Sequence, residues 1–124
     1  MVRLWFIIGC LMAGLGVAAG AFGAHALKQR LSPELLQVFE TGVRYQMYHA
    51  FGLLAVALAM NRWPNSTLQI AAWLFVAGIV LFSGSLYALC LSGIRVLGAI
   101  TPIGGLCFLG GWVFLALTIW TGKS

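Results

Sequence analysis

The sequence predicts an all-α integral membrane protein, a four-helix bundle with up-down-up-down topology that forms a single domain over residues 1–124. The first observation is composition: 62% of the residues are hydrophobic and only 7% are charged, whereas about a quarter of a soluble domain is charged. The second is that the apolar residues fall into four runs separated by charges and helix breakers. The third is that no run alternates between apolar and polar residues, and a segment surrounded by lipid must satisfy its own backbone, so helices are expected.

The four spans are predicted at about residues 4–27, 45–61, 67–91 and 96–120. The first run carries no formal charge and exceeds the length of a signal-peptide core, so we interpret it as a retained helix. The second run has about 17 residues, which is the short end of the range that crosses a bilayer. A break at residues 63–66 separates the second run from the third. Because the later connections are short, neighbouring spans are expected to be antiparallel.

A short amphipathic helix is predicted at about residues 33–43, on the membrane surface between the first two spans. Ser32 suits a helix N-cap, Pro33 suits the first turn, and Glu34 complements the positive end of a helix. We expect this helix to continue, with a bend near Gly42, into the second span. Glu40 and Arg44 are four residues apart, a spacing that suits a local ion pair.

Small residues recur along the first span at steps of four, three, four and three, so they share one helical face: Gly9, Ala13, Gly16, Gly20 and Gly23. Small residues allow helix backbones to approach closely in lipid. The pattern therefore predicts tight packing against another helix, either in the same chain or in another copy of it.

The basic residues lie at the edges of the apolar runs and do not cluster, which favours contact with lipid headgroups and argues against nucleic acid as a partner. With four spans, both termini lie at one end, side A, together with Arg62. The opposite end, side B, carries Lys28, Arg30, Arg44 and Arg95. If Arg44 and Arg95 are partly embedded, side A has the larger count of basic residues, because it also holds Arg3 and Lys123. The positive-inside rule then predicts cytoplasmic termini.

Polar side chains from all four spans converge toward side B: His25, Arg44, Tyr45, Gln46, His49, Ser83, Ser85, Tyr87, Arg95 and Thr101. Polar groups in lipid are costly unless they are paired, so we expect these groups to face the bundle interior. They form either a clasp that fixes helix register or a pocket that opens at side B. The opposite boundary carries three tryptophans, Trp5, Trp63 and Trp120, in a pattern typical of an interfacial belt.

Two histidines, His25 and His49, suggest the hypothesis of bis-histidine haem ligation. Two histidines alone leave a metal site incomplete, so no metal and no cofactor are predicted. The three cysteines, Cys10, Cys90 and Cys107, lie within apolar runs, and their odd number excludes a complete disulfide framework. The sequence offers no nucleophile beside a base, no P-loop and no dinucleotide fingerprint, so no enzyme is predicted.

Four motifs follow one another along the chain: Gly20–Leu27, Thr41–His49, Leu81–Tyr87 and Thr101–Gly105. In this order they resemble the family of uncharacterised bacterial inner-membrane proteins typified by YgdD, known as domain of unknown function 423, which has eukaryotic transmembrane relatives. The resemblance covers nearly the whole chain. It implies a small multi-pass protein of the inner membrane with no settled activity, and it supplies no catalytic residues.

We therefore expect a non-enzymatic accessory or scaffold subunit in the lipid bilayer, which packs against itself as a homo-oligomer or against a larger membrane complex. The alternative is a small transporter, or a protein that binds lipid, quinone or haem through the polar residues at side B.

Overall fold

Four long helical segments make up the computed structural model, which describes residues 1–122. They are α1 (Val2–Leu27), α2 (Pro33–Arg62), α3 (Ser66–Ser92) and α4 (Arg95–Thr121). No strand occurs within this range, so the predicted all-α class is confirmed. By length and composition α1, α3 and α4 are able to cross a membrane. Lys123, which was counted among the basic residues of side A, lies outside the described residues.

The helix α2 is continuous over 30 residues, so a separate interfacial helix at residues 33–43 is not confirmed. Its start is the predicted one: the Ser32 hydroxyl accepts a hydrogen bond from the Leu35 amide at 3.2 Å, and Pro33 occupies the first turn. The helix also continues through Gly42, where the ring of Tyr87 lies so close that an added Cβ would meet it at 2.8 Å. Packing at this position outweighs the roughly 1 kcal/mol by which glycine disfavours a helix.

The other helices depart locally from α-helical geometry. Residues Ala18–Gly23 of α1 and Ile79–Ser83 of α3 are π-helical, and α4 opens with a 3₁₀ turn at Arg95–Ala99. Pro102 then lies in the first turn of the α-helical part of α4, where a missing N–H leaves no bond unmade. The helix α3 ends at Gly93, whose φ of 74° is the left-handed conformation that glycine adopts readily.

The small-residue face of α1 packs against α2 of the same chain. A Cβ on Gly9 would meet Leu54, on Gly16 it would meet Met47, and on Gly23 it would meet Phe39. Gly20 faces α2 in the same way, and Ala13 is half-buried. Positions late in α1 thus meet positions early in α2, and the partner of this face is a helix of the same chain.

The helices α3 and α4 pack through glycines that face phenylalanine rings. Gly78 of α3 lies under Phe108 of α4, while Gly111 of α4 lies under Phe75 of α3. Gly104 faces the backbone itself, because an added Cβ would meet the Phe82 amide nitrogen and would lie 2.8 Å from the Phe82 Cα. The order of these contacts again pairs the early part of one helix with the late part of the other.

The core lies between all four helices toward side A, and Trp5 is one of its fully buried members. Its ring packs edge-on against Trp73, with centroids 5.0 Å apart. The prediction that Trp5 belongs to an interfacial belt was therefore wrong. An indole ring near a chain end looks interfacial in sequence, but here the neighbouring helices enclose it.

Candidate functional site

A network of hydrogen bonds joins the helices near side B, and Gln46 of α2 is at its centre. This side chain is only 5% exposed. Its Nε2 donates to the Met12 carbonyl of α1 at 2.8 Å, and its Oε1 accepts from the Tyr87 hydroxyl of α3 at 2.7 Å. One amide therefore links three helices, and both of its polar atoms are bonded.

Serine and threonine hydroxyls extend the links from α3 to its neighbours. The buried Ser83 hydroxyl donates to the Gly42 carbonyl of α2 at 2.6 Å. The Ser85 hydroxyl donates to the Phe82 carbonyl at 2.9 Å and lies 2.6 Å from the Thr101 hydroxyl of α4. We call Gln46, Ser83, Ser85, Tyr87 and Thr101 the side-B network. These five residues are all among the polar residues that the sequence placed at this end.

His49 forms a separate link from α2 to α4, one helical turn deeper than Tyr45. Its Nδ1 lies 2.6 Å from the Tyr45 carbonyl, and its Nε2 lies 3.0 Å from the indole Nε1 of Trp112. A carbonyl can only accept and an indole N–H can only donate. The imidazole is therefore neutral, with its proton on Nδ1. The ring also stacks on Phe108 at a centroid distance of 3.5 Å.

The two histidines are not brought together. His25 is exposed near the end of α1, beyond Gly23, which faces Phe39 of α2. His49 lies about ten residues further along α2, or about 15 Å at the rise of an α-helix. Because both nitrogens of His49 are already bonded, the hypothesis of haem ligation by this pair is wrong. Within residues 1–122, no three His, Cys, Asp or Glu side chains lie close enough together to hold a metal ion.

The charged members of the predicted cluster lie outside the network. Arg44 and Arg95 are exposed, and the Arg95 Nη1 lies 3.8 Å from Glu34 Oε1, with both side chains about three-quarters exposed. The ion pair predicted between Glu40 and Arg44 is not formed among the described residues; the pair that is formed joins Arg95, at the start of α4, to Glu34, in the first turn of α2. An exposed pair of this kind stabilises little.

Tyr45 is also partly exposed, and its ring stacks on Phe82 at 4.5 Å.

A cleft of about 440 Å³ separates α2 from α4. Its walls on one side are rings: Tyr45, His49, Phe108 and Trp112. The rest of its lining comes from the stretch of α4 that begins at Pro102 and includes Gly105. The bond between His49 and Trp112 is made by two of these lining residues. The cleft is therefore an apolar, aromatic groove in which the ring nitrogens of His49 and Trp112 are already engaged.

A second polar group of residues, at side A, was not foreseen from the sequence. The Asn65 side chain caps α3 by accepting from the Thr67 amide at 3.0 Å, and the Thr67 hydroxyl lies 2.6 Å from the Thr118 hydroxyl of α4. Trp112 was also missed as the partner of His49. The sequence did contain a signal for each contact. A neutral imidazole in an apolar run needs a hydrogen-bond donor, which pointed to a partner for His49, and Thr118 is a polar residue in an otherwise apolar stretch of α4.

The cysteines are free thiols. The buried Cys90 thiol donates to the Leu35 carbonyl at 3.2 Å, whereas Cys10 is exposed and Cys107 is half-buried.

Comparison with known proteins gives a family but no activity. Residues 19–105 match the model of the family described as "Protein of unknown function (DUF423)". The sequence is 45% identical to the UPF0382 membrane protein YwdK of Bacillus subtilis over 117 residues, which is 94% of this chain and 95% of that protein. Identity is also 45% to the UPF0382 membrane protein SH2409 of Staphylococcus haemolyticus, with the same coverage of both chains. No solved structure matches the chain.

Proposed function

The chain belongs to the DUF423 family of proteins of unknown function, and we propose that it serves the bacterial inner membrane as a non-enzymatic accessory or scaffold subunit. The observation that carries this proposal is that the side-B network is bonded internally. Gln46 bonds to α1 and α3, Ser83 bonds to a backbone carbonyl, and Ser85 pairs with Thr101. A transporter or a polar ligand site at this end would need polar groups that face the ligand, whereas these groups fix helix register.

The scaffold crosses the membrane four times in up-down-up-down order. The helix α2 lies along α1 from Phe39, opposite Gly23, to Leu54, opposite Gly9, a distance of about 22 Å at 1.5 Å per residue. A helix that accompanies a spanning helix over this distance crosses the same layer. The charged residues Arg44 and Arg62 are about 18 residues apart on α2, or about 27 Å, which is close to the thickness of a hydrocarbon core of about 30 Å.

The first turns of α2 and the end of α1 extend past that layer at side B, so the residues predicted as an interfacial helix reach the headgroups as part of α2. Both termini lie at side A, in the cytoplasm. Support comes from the positions of Arg44 and Arg95 within α2 and α4 and not in the connection between α1 and α2, which leaves Lys28 and Arg30 as the basic loop residues of side B. Side A then has the larger count, as the positive-inside rule requires of the cytoplasmic face.

Reporter fusions in cells test this topology. Green fluorescent protein fused after the last residue should fluoresce, and alkaline phosphatase fused there should be inactive. Fusions made in the connection that carries Lys28 and Arg30 should give the opposite pattern. Active phosphatase at the C-terminus would refute cytoplasmic termini. Four crossings also require that fusions at the connection between α2 and α3 behave like fusions at the C-terminus.

The absence of an enzymatic role is part of the proposal. The hydroxyls of Ser83 and Ser85 donate to backbone carbonyls, and the imidazole of His49 bonds to the Tyr45 carbonyl and the Trp112 indole. No hydroxyl among these is activated by the imidazole, which is the arrangement that nucleophilic catalysis requires. An activity of the purified protein that disappears in His49→Ala, with the fold retained, would overturn this assignment.

The scaffold has a free surface on α1, since this helix packs along α2 and exposes its other side, including Ile7, Leu11 and Leu15. Extraction in a mild detergent followed by native mass spectrometry should give a discrete homo-oligomer or a heterocomplex. Cys10 is exposed on this helix, so a thiol crosslinker applied to membranes should trap the same contact. Cys10→Ser is the matched control and should remove the crosslinked species. A protein that stays monomeric in both experiments would refute the scaffold role.

A further inference from the structure

We propose that the cleft between α2 and α4 binds a hydrocarbon chain of an anionic phospholipid whose headgroup lies at side B. The cleft runs from Tyr45 and Pro102 to Trp112. Tyr45 directly follows Arg44, at the edge of the hydrocarbon layer, and the ten residues from Pro102 to Trp112 give a depth of about 15 Å. The cleft thus opens at the headgroup level of one leaflet and reaches the middle of a core about 30 Å thick.

The space beside Gly105 indicates that the cleft holds a ligand and is not simply a gap in the packing. Glycines at the closest helix contacts leave no room for a side chain: an added Cβ on Gly9, Gly104 or Gly111 would come within 3.0 Å of a neighbour. At Gly105 the nearest such atom is Phe82 Cδ2, 4.0 Å away. A side chain would fit there without displacing protein atoms, and it would instead fill the cleft. Gly105 therefore keeps the groove open and presents the bare surface of α4 to its occupant.

The chemistry of the walls selects a hydrocarbon chain over a quinone or a haem. A quinone ring needs hydrogen-bond donors for its carbonyls, and the donors deep in the cleft are already used, His49 Nδ1 by the Tyr45 carbonyl and Trp112 Nε1 by His49. A haem needs a free imidazole nitrogen. The remaining surface consists of ring faces and apolar side chains, which stabilise a methylene chain by burial alone.

Charge at the mouth selects an anionic headgroup. Side B carries four basic residues, Lys28, Arg30, Arg44 and Arg95, against two acidic residues, Glu34 and Glu40. Arg44 adjoins the wall residue Tyr45, and Arg95 opens the same helix that lines the cleft. Basic residues near a membrane surface attract anionic lipid. An anionic phospholipid with its chain in the cleft therefore places its phosphate near Arg44 and Arg95.

Native mass spectrometry of the delipidated full chain tests the site, with phosphatidylglycerol and phosphatidylcholine of identical acyl chains as probes. The wild type should retain one phosphatidylglycerol, and Gly105→Leu should weaken its binding at least tenfold. Gly14→Leu is the matched control, because Gly14 is exposed on α1 with no atom within 4 Å of an added Cβ, and it should bind as the wild type does.

A second variant, Leu109→Trp, fills the same cleft from an exposed position and keeps the test decisive if Gly105→Leu does not fold. Undiminished phosphatidylglycerol binding in the folded cleft variants would overturn the site. Equal affinity for phosphatidylcholine would overturn the anionic headgroup, and a quinone that copurifies and is lost in Gly105→Leu would overturn the choice of ligand.

Discussion

The central helix α2 meets α1 and α4 in different ways. Toward α1 the backbones are close, because glycines such as Gly9 and Gly16 leave room for Leu54 and Met47. Toward α4 the backbones are further apart: the contacts are made by side-chain rings such as His49 and Phe108, and the cleft lies beside them although Gly105 also faces that side. A glycine in a membrane helix therefore does not define a packing contact by itself. What decides its role is whether a side chain from another helix occupies the space that it leaves.

The two interfaces also differ in their polar links. Gln46 bonds to the Met12 carbonyl within tightly packed surroundings, whereas His49 reaches Trp112 at the wall of a cleft. Removal of a link should therefore cost more on the side of α1, where repacking cannot compensate. The following variants test the difference between the two interfaces by SDS-induced unfolding in mixed micelles, followed by circular dichroism.

The largest effect is expected for Gly9→Leu. An added Cβ would lie 2.8 Å from Leu54 Cδ2 and 3.2 Å from the Ala50 carbonyl oxygen. The side chain of Leu54 can move, but the backbone cannot, so the stability should fall by about 2–3 kcal/mol, as for overpacked cores. Gly14→Leu on the outer face of α1 is the control and should remain within about 0.5 kcal/mol of the wild type. Equal stabilities of the two variants would contradict the close contact of α1 with α2.

A smaller loss, of about 1–2 kcal/mol, is expected for Gln46→Leu, because this variant removes two hydrogen bonds and leaves the Tyr87 hydroxyl without its partner. Tyr87→Phe removes one of these bonds together with its donor and should cost about 0.6 kcal/mol. In the double variant the two losses should not add, since both remove the same bond. Additive losses would show that the network does not act as a clasp.

Trp112→Phe should cost only about 0.6 kcal/mol, a typical value for an interhelical bond in a membrane. Its sharper readout is nuclear magnetic resonance of ¹⁵N-labelled histidine. The wild type should show His49 as the neutral tautomer with the proton on Nδ1, because the indole donates to Nε2. The variant should keep the proton on Nδ1, because the Tyr45 carbonyl still accepts it, but the ¹⁵N chemical shift of Nε2 should change once the indole no longer donates to it. A wild type with its proton on Nε2 would contradict the bond across the cleft.

The smallest change in stability is expected for Gly105→Leu, within about 0.5 kcal/mol of the wild type, since no atom of another helix lies closer than 4.0 Å to an added Cβ. Together with Gly9→Leu it compares the same substitution in the closed and the open interface of α2. A loss as large as that of Gly9→Leu would mean that a neighbouring helix already occupies the space beside Gly105.

Much of the side-B network could be predicted from the sequence, because the depth of a polar residue within an apolar run and the free-energy cost of leaving it unpaired in lipid can both be estimated without the tertiary structure. Gln46, Ser83, Ser85, Tyr87 and Thr101 are polar residues near one end of apolar runs, and burial forces such groups to pair. The sequence could not say which of the ten candidates pair. His25, Arg44 and Arg95 also lie near this end of their helices, but they face outward. Which face of a helix points inward depends on the rotation of the helix about its axis, and this rotation is set by the neighbouring helices.

The sequence by itself determined the properties that depend on adjacent residues: the all-α class, the positions of the long apolar helices, the cap at Ser32 and the family. Length, hydropathy and local caps set these before any tertiary contact forms. Tertiary structure alone decided the burial of Trp5, the continuity of α2 through Gly42, the pairing of His49 with Trp112 and the open cleft at Gly105. Each depends on side chains from helices that are distant in sequence, and the energy of such contacts is set by their three-dimensional fit and not by the residue type alone.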